Sequence, residues 1–278
     1  MTRVLGSLTP DQIKRRVEEH LDFYKKNYPN KWVGIFLQGS QNYDLASPTS
    51  DVDTKIIVLP SFEELVFNRK PISHTLVLPN NEHCDVKDIR LMFECFRKQN
   101  INFLEILFTQ YKIMNPRFED LFQPMFDSRE MIAHYNNYAG INSMNGMIHE
   151  KHKSMFHQTP ATEAVIKEHG YNGKDLCHMW RIYDFMRKFF FEHKSFEECL
   201  FPESEDYYDN YMLSKEQGFV LGYASEIAEA IDQKAKKMRN LYLSVNENIV
   251  HEDVKVIMDG VLISIMQNAL QISEVANA

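Results

Sequence analysis

Residues 39–53 read Gly-Ser-Gln-Asn-Tyr-Asp-Leu-Ala-Ser-Pro-Thr-Ser-Asp-Val-Asp. They follow WVGIFLQ (32–38), a short apolar run with the length and β-rich composition of a buried strand. They lead into a run ending KIIVL, which alternates, turns fully apolar and stops at Pro60. The stretch is therefore a connection between two strands: a Gly-Ser turn, ten residues, then two carboxylates separated by one apolar residue. Residues two apart on a strand share a face, so Asp51 and Asp53 point together while Val52 enters the core. Adjacent carboxylates repel unless a cation lies between them. Mg²⁺ suits that position, because it takes hard oxygen ligands and leaves sites open for substrate phosphates. Gly39 lets the backbone approach a phosphate closely, and the Ser40 hydroxyl with nearby amides can bind its oxygens.

A third carboxylate, Asp85, sits in His83-Cys84-Asp85-Val86-Lys87, again a short β-like run, with Glu82 and Asp88 near enough to compete for its role. Three acids on adjacent strands can cradle two metal ions for phosphoryl transfer.

Outward from this segment the periodicity changes. Thr9-Pro10-Asp11-Gln12 opens a helix with a capping box and runs to about Tyr28. Residues 74–78 and 83–87 add two short strands. From Asp88 the period is helical, with Ile89, Met92, Phe93 and Phe96 at spacings of three and four. Beyond Pro116 the patterns are helical only, spanning roughly 128–157, 174–193, 214–237 and 252–272. The expected class is α+β: an α/β unit with a short mixed sheet over 1–115, then an all-helical unit over 116–278.

Hydrophobic residues form 44% of the 278 and charged ones 25%, which argues for packed cores rather than disorder. The net charge of −8 leaves no global positive field for a polyanion, so long duplex DNA is not an expected partner. The four cysteines form no C-x-x-C pair, and no uninterrupted apolar stretch signals export or a membrane span. A cytoplasmic protein with reduced thiols is expected.

The order Gly-Ser, spacer, Asp-apolar-Asp, then a later apolar-Asp-apolar resembles the DNA polymerase beta-like nucleotidyltransferase superfamily. Within it, residues 39–53 look most like the predicted nucleotidyltransferases of bacteria and their phages, whose turn commonly reads Gly-Ser-x-x-Tyr-Gly-Leu followed by Ser-Asp-x-Asp. Tyr43 and Leu45 match that wording; Asp44 stands where the glycine is usual. Asn102 to Leu107 resembles the relatives' Asn-x-x-Glu-x-Leu segment, and Lys174, His178 and Arg181 their Lys-x-x-x-His-x-x-Arg helix.

The resemblance implies transfer of a nucleoside monophosphate from an NTP such as ATP to an acceptor hydroxyl, with release of pyrophosphate. Two Mg²⁺ ions, replaceable by Mn²⁺, would be held by Asp51, Asp53 and Asp85. Gly39 and Ser40 would hold the β and γ phosphates, and Lys174, His178 and Arg181 would supply further nucleotide contacts. The acceptor is an RNA or tRNA end, a protein or a small molecule. The rival is a catalytically silent chain that keeps the fold as a binding module.

Other patterns have plainer readings. Lys174, His178 and Arg181 share a helix face by spacing, as a solvated face also would. His149, Lys153 and His157 form a second such stripe, open to nucleic-acid or phosphate contact or to plain solvation. Asn102 and Glu105 suit a helix start, where a cap and an acid need no function. Gly34 to Ser40 lacks the lysine of a phosphate-binding P-loop, and Lys255 stands where a zincin helix beginning at His251 needs histidine.

Overall fold

Thr9 caps the first helix as its sequence predicts: Gln12 N–H donates to Thr9 Oγ1, and Thr9 N–H donates to Gln12 Oε1 at 2.8 Å. The computed structural model describes residues 8–28, 31–47 and 50–275, the last five as backbone only. Pro48 and Thr49 of the strand connection lie outside the described residues.

Helix α1 (Pro10–Asn27) lays Ile13, Val17, Leu21 and Tyr24 on one face of a five-stranded sheet. The strands are β1 (Trp32–Gln38), β2 (Asp53–Val58), β3 (Ser73–Val77), β4 (His83–Asp88) and β5 (Lys112–Met114), in the order β3-β4-β2-β1-β5. β2 and β4 run parallel and every other neighbouring pair antiparallel. A parallel neighbour needs a crossover; here it passes through α2 (Phe62–Val66) and the edge strand β3. Beneath α1 the sheet contributes Ile35, Leu37, Ile56, Val58, Cys84 and Val86, all fully buried or nearly so.

The opposite face is covered by α3 (Ile89–Arg97), α4 (Ile101–Leu104) and α5 (Glu119–Asp127), with Phe36 packed against Phe122 and Phe126, and α6 (Arg129–Ala133) packs on α5. Six further helices follow: α7 (Asn137–Ser154), α8 (Glu163–His169), α9 (Gly173–Phe191), α10 (Phe196–Leu200), α11 (Glu205–Lys215) and α12 (Leu221–Val245). The last helix, α13 (Glu252–Val275), packs on α5 and α3, where Asp259 pairs with Arg97.

The class is mixed α and β, as expected, but the division falls elsewhere. Contacts group the chain up to Tyr135 and from Val250 onward into one unit, and Asn136–Ile249 into another. The boundary expected at 115 lies inside the first unit, because α5, α6 and α13 bury apolar faces that sequence period cannot assign to a neighbour. Strand β5 goes unread at three residues, and the helix expected over 128–157 breaks between Ala133 and Asn137, where Asn136 caps α7. No helix among the described residues is long and apolar enough to cross a membrane.

In the helical unit α9 is central, packing on α7, α10, α11 and α12. Gly173 opens it against α11: a Cβ there would stand 2.1 Å from the Ser214 carbonyl oxygen. Backbone cannot yield as a side chain can, so Gly173→Ala should destabilise this unit by at least the ~1–3 kcal/mol usual for overpacking, read as a lower urea midpoint.

Candidate active site

Gly39 leaves β1 with φ 82 and ψ −163, a conformation that favours glycine, and begins a single 3₁₀ turn over Ser40–Asn42. Asn42 fastens this turn: its Nδ2 donates to the Leu37 carbonyl at 3.0 Å, and its Oδ1 accepts from Thr109 Oγ1 at 2.6 Å. Tyr43 and Leu45 anchor the next residues in the core. Asp44, between them, has φ 59. That left-handed value favours glycine, and aspartate is among the residues that tolerate it.

Asp53, first residue of β2, pairs with Gln38, last residue of β1. A Cβ built on Gly39 would lie 3.9 Å from Asp53 Oδ2, so the glycine turn and this carboxylate are immediate neighbours. Asp51 precedes the strand and is exposed; Val52 between them is fully buried. Asp85 reaches the same face through the parallel register: it pairs with Lys55, two residues from Asp53. Its rivals are placed otherwise. Asp88 caps α3 and pairs with Arg90 at 2.6 Å, and Glu82 turns to His20 and Arg16 beneath α1.

The cradle expected of three carboxylates is not closed. Among the described residues no three His, Cys, Asp or Glu side chains are placed to hold a metal ion. Like charges keep apart and take local donors instead. Asp53 Oδ1 accepts from His83 N–H at 3.3 Å, with the His83 ring at 3.5 Å. Asp85 Oδ1 accepts from Thr75 Oγ1 at 2.6 Å, and its Oδ2 lies 3.5 Å from Gln38 Nε2. In kind, the donor set fits a hard divalent cation: carboxylate oxygens on one sheet face beside a glycine turn. Burial, and secondarily the charge of Asp51, raise Asp53 above the ordinary aspartate value of 3.8 despite His83.

One functional candidate, Lys55, escapes the sequence reading, and a second, Glu105, is read there as structural. Lys55, 2% exposed, lies on the face of Asp53 and Asp85, donates to the Asn102 carbonyl at 2.7 Å and sits 4.1 Å from the centre of the Phe103 ring. Burial lowers its pKa to about 8, against the pull of Glu105 and Asp85. The period-two spacing Asp51, Asp53, Lys55 carried the signal. Glu105 is buried below the turn, its Oε1 3.5 Å from Gly39 N. It follows α4, whose cap is Asn100 rather than Asn102.

Lys174, His178 and Arg181 belong to α9 in the helical unit and form no exposed cationic face. Lys174 is exposed, but Arg181 is 3% exposed, because α9 is surrounded by helices. Burial, with the nearby cations Arg181, Lys151, Lys215 and Lys174, lowers His178 to about 3, so its ring is neutral. In the other stripe, His149 lies 3.4 Å from Asp232, which also lies 3.6 Å from His152. Acids of α12 thus face those histidines.

No family model and no curated protein matches the chain. Among solved structures it is similar to a nucleotidyltransferase-like protein from Exiguobacterium sibiricum 255-15, at 10% identity and a TM-score of 0.32, over 82% of this chain and 77% of that one. A likeness that distant assigns no residue, and the chemistry rests on the geometry above.

The raised pKa of Asp53 has a consequence for stability. Folding favours its protonated form, so this contribution is present at low pH and is lost as pH rises through 3.8 to the raised value. In chelator at pH 7, Asp53→Asn should melt higher than the unaltered protein. The gain should stay below ~1 kcal/mol, since the carboxylate is 38% exposed, and vanish near pH 3. A lower melting point at pH 7 would mean that the His83 contacts outweigh the cost of burying the charge.

Proposed function

We propose that the chain is a Mg²⁺-dependent nucleotidyltransferase, moving a nucleoside monophosphate from an NTP to an acceptor hydroxyl. The observation that supports this reading is the placement of Asp53 beside the left-handed glycine turn, with Asp85 brought to the same face by a parallel strand. Asp51 and Asp53 would hold both ions and Asp85 one. When bound, such ions supply positive charge around the reacting phosphate and lower the pKa of the attacking hydroxyl.

The chain's own groups divide the remaining work. The Ser40 hydroxyl and the amides of the turn bind the β and γ phosphates of the donor, aligning the α phosphorus over the carboxylate face. Asp85 Oδ2, 3.5 Å from Gln38 Nε2, takes the proton of the attacking hydroxyl. The new bond joins acceptor oxygen to the α phosphorus, and the bond broken frees pyrophosphate. Lys55 lies on the same face and offsets part of the charge of Asp85. An RNA or tRNA end is the acceptor to try first; the −8 charge disfavours long duplex DNA.

Incubation with labelled ATP, CTP, GTP and UTP, total RNA and Mg²⁺ tests donor, acceptor and activity together. Label should enter one acceptor class, and both excess chelator and Asp53→Asn should reduce transfer to background. Transfer undiminished in chelator would overturn the reading, and NTP binding without any transfer would support the silent binding module.

A further inference from the structure

Beneath the site, on the α1 side of the sheet, lies a closed polar cluster in an otherwise apolar layer. Its centre is Glu82, 6% exposed, in the residue position just before β4. Glu82 Oε2 accepts from Arg16 Nη2 at 2.6 Å, from His20 Nε2 at 2.9 Å and from Asn80 Nδ2 at 3.0 Å. His20 is fully buried, and burial holds it below its ordinary range. Its neutral ring therefore donates from Nε2 to the carboxylate and accepts at Nδ1 from Thr54 Oγ1, at 2.8 Å. The other carboxylate oxygen is directed elsewhere. Glu82 Oε1 accepts from the backbone N–H of Val52 at 3.1 Å.

Val52 is the residue between the two candidate metal ligands, and its side chain is fully buried in the core under α1. Its N–H precedes the first residue of β2, beyond the end of the strand pairing. A buried amide there needs an acceptor from outside the sheet. The next residue after Glu82 completes a second link, because His83 N–H donates to Asp53 Oδ1 at 3.3 Å. Two consecutive residues thus grip two consecutive residues of the Asp51-Val52-Asp53 segment, one by its side chain and the other by its backbone.

Resting on the nucleotidyltransferase reading, we propose that Glu82 is a positioning residue for the metal site: its carboxylate clamps Val52 N–H and so fixes the backbone from which Asp51 and Asp53 project. His20, Arg16 and Asn80 fix Glu82 in turn. The clamp also couples the third acid to the first two, since Glu82 adjoins the strand that carries Asp85. Glu82 touches neither substrate nor ion. It acts as the outer groups of metal sites do, by orienting the ligands, and loss of such groups typically costs about 10–100-fold in metal affinity.

Mn²⁺ alone, followed by the electron paramagnetic resonance signal of the free ion, tests this without turnover. Glu82→Gln keeps an oxygen for Val52 N–H while losing the charge, and Arg16→Met loses the ion pair while leaving the clamp. Both variants should melt lower than the unaltered protein yet bind Mn²⁺ nearly as well. Glu82→Ala, which loses the acceptor, should weaken Mn²⁺ by about 10–100-fold. Unchanged affinity in folded Glu82→Ala, or affinity that falls in step with melting point across all three, would overturn the proposal.

Asp53→Asn separates the two readings. Loss of Mn²⁺ binding there with none in Glu82→Ala removes only the clamp, whereas unchanged binding in Asp53→Asn removes the metal site and the clamp with it. Hydrogen exchange at Val52 N–H in the unaltered protein needs no variant: strong protection is expected, and exchange at the rate of an open amide would contradict the clamp.

Discussion

The parallel pairing of β2 with β4, which sets Lys55 opposite Asp85, is the constraint from which the site follows. Strand side chains alternate, so the register that puts Cys84 and Val86 under α1 also puts His83, Asp85 and Lys87 on the other face. A slip of one residue would drive Asp85 into the apolar layer and expose Cys84 and Val86 in its place. The apolar residues under α1 therefore specify where the carboxylates stand. Packing on one face is what places chemistry on the other.

That face carries unusual electrostatics. Lys55 is buried beside acids, on an aromatic ring and against a backbone carbonyl, and its charge is partly disfavoured there. Asp53 is disfavoured in the opposite sense, with its carboxyl raised. Isolated, each group would lower stability; Glu105 and Asp85 offset part of the cost for Lys55, and His83 part of it for Asp53. Gly39 and Asp44, both in the connection that leads to β2, adopt positive φ. Rule-breaking of this kind gathers where function is built.

Much of this was legible because it is local. The capping box of α1, the apolar runs of β1 and β2 and the Gly-Ser turn are each written in fewer than twenty consecutive residues. Asp85 was legible as a member of a short strand, but its preference over Glu82 and Asp88 was not, because only the register and the position of α1 decide which way each acid faces. Long-range packing hid the rest. The three residues of β5 have no period to read, and α13 belongs with the sheet only because α3 and α5 offer it a partner. The burial of Arg181 is illegible for the same reason: a face at i, i+4 and i+7 looks alike in solvent and in a crowded bundle. Lys55 was readable, since it continues the alternation of Asp51 and Asp53, yet a lysine on a strand ordinarily signals an exposed edge.

In the proposed function the carboxylate face and the glycine turn form one metal and phosphate site. A crystal structure with Mn²⁺ and a non-hydrolysable NTP, read by the anomalous signal of manganese, is the test. Manganese is expected on carboxylate oxygens of Asp51 and Asp53, with Asp85 released from Thr75 to join it and the nucleotide's phosphates on the Gly39–Ser40 turn. Nucleotide bound elsewhere in the chain, or manganese absent from Asp53 at saturating concentration, would contradict it.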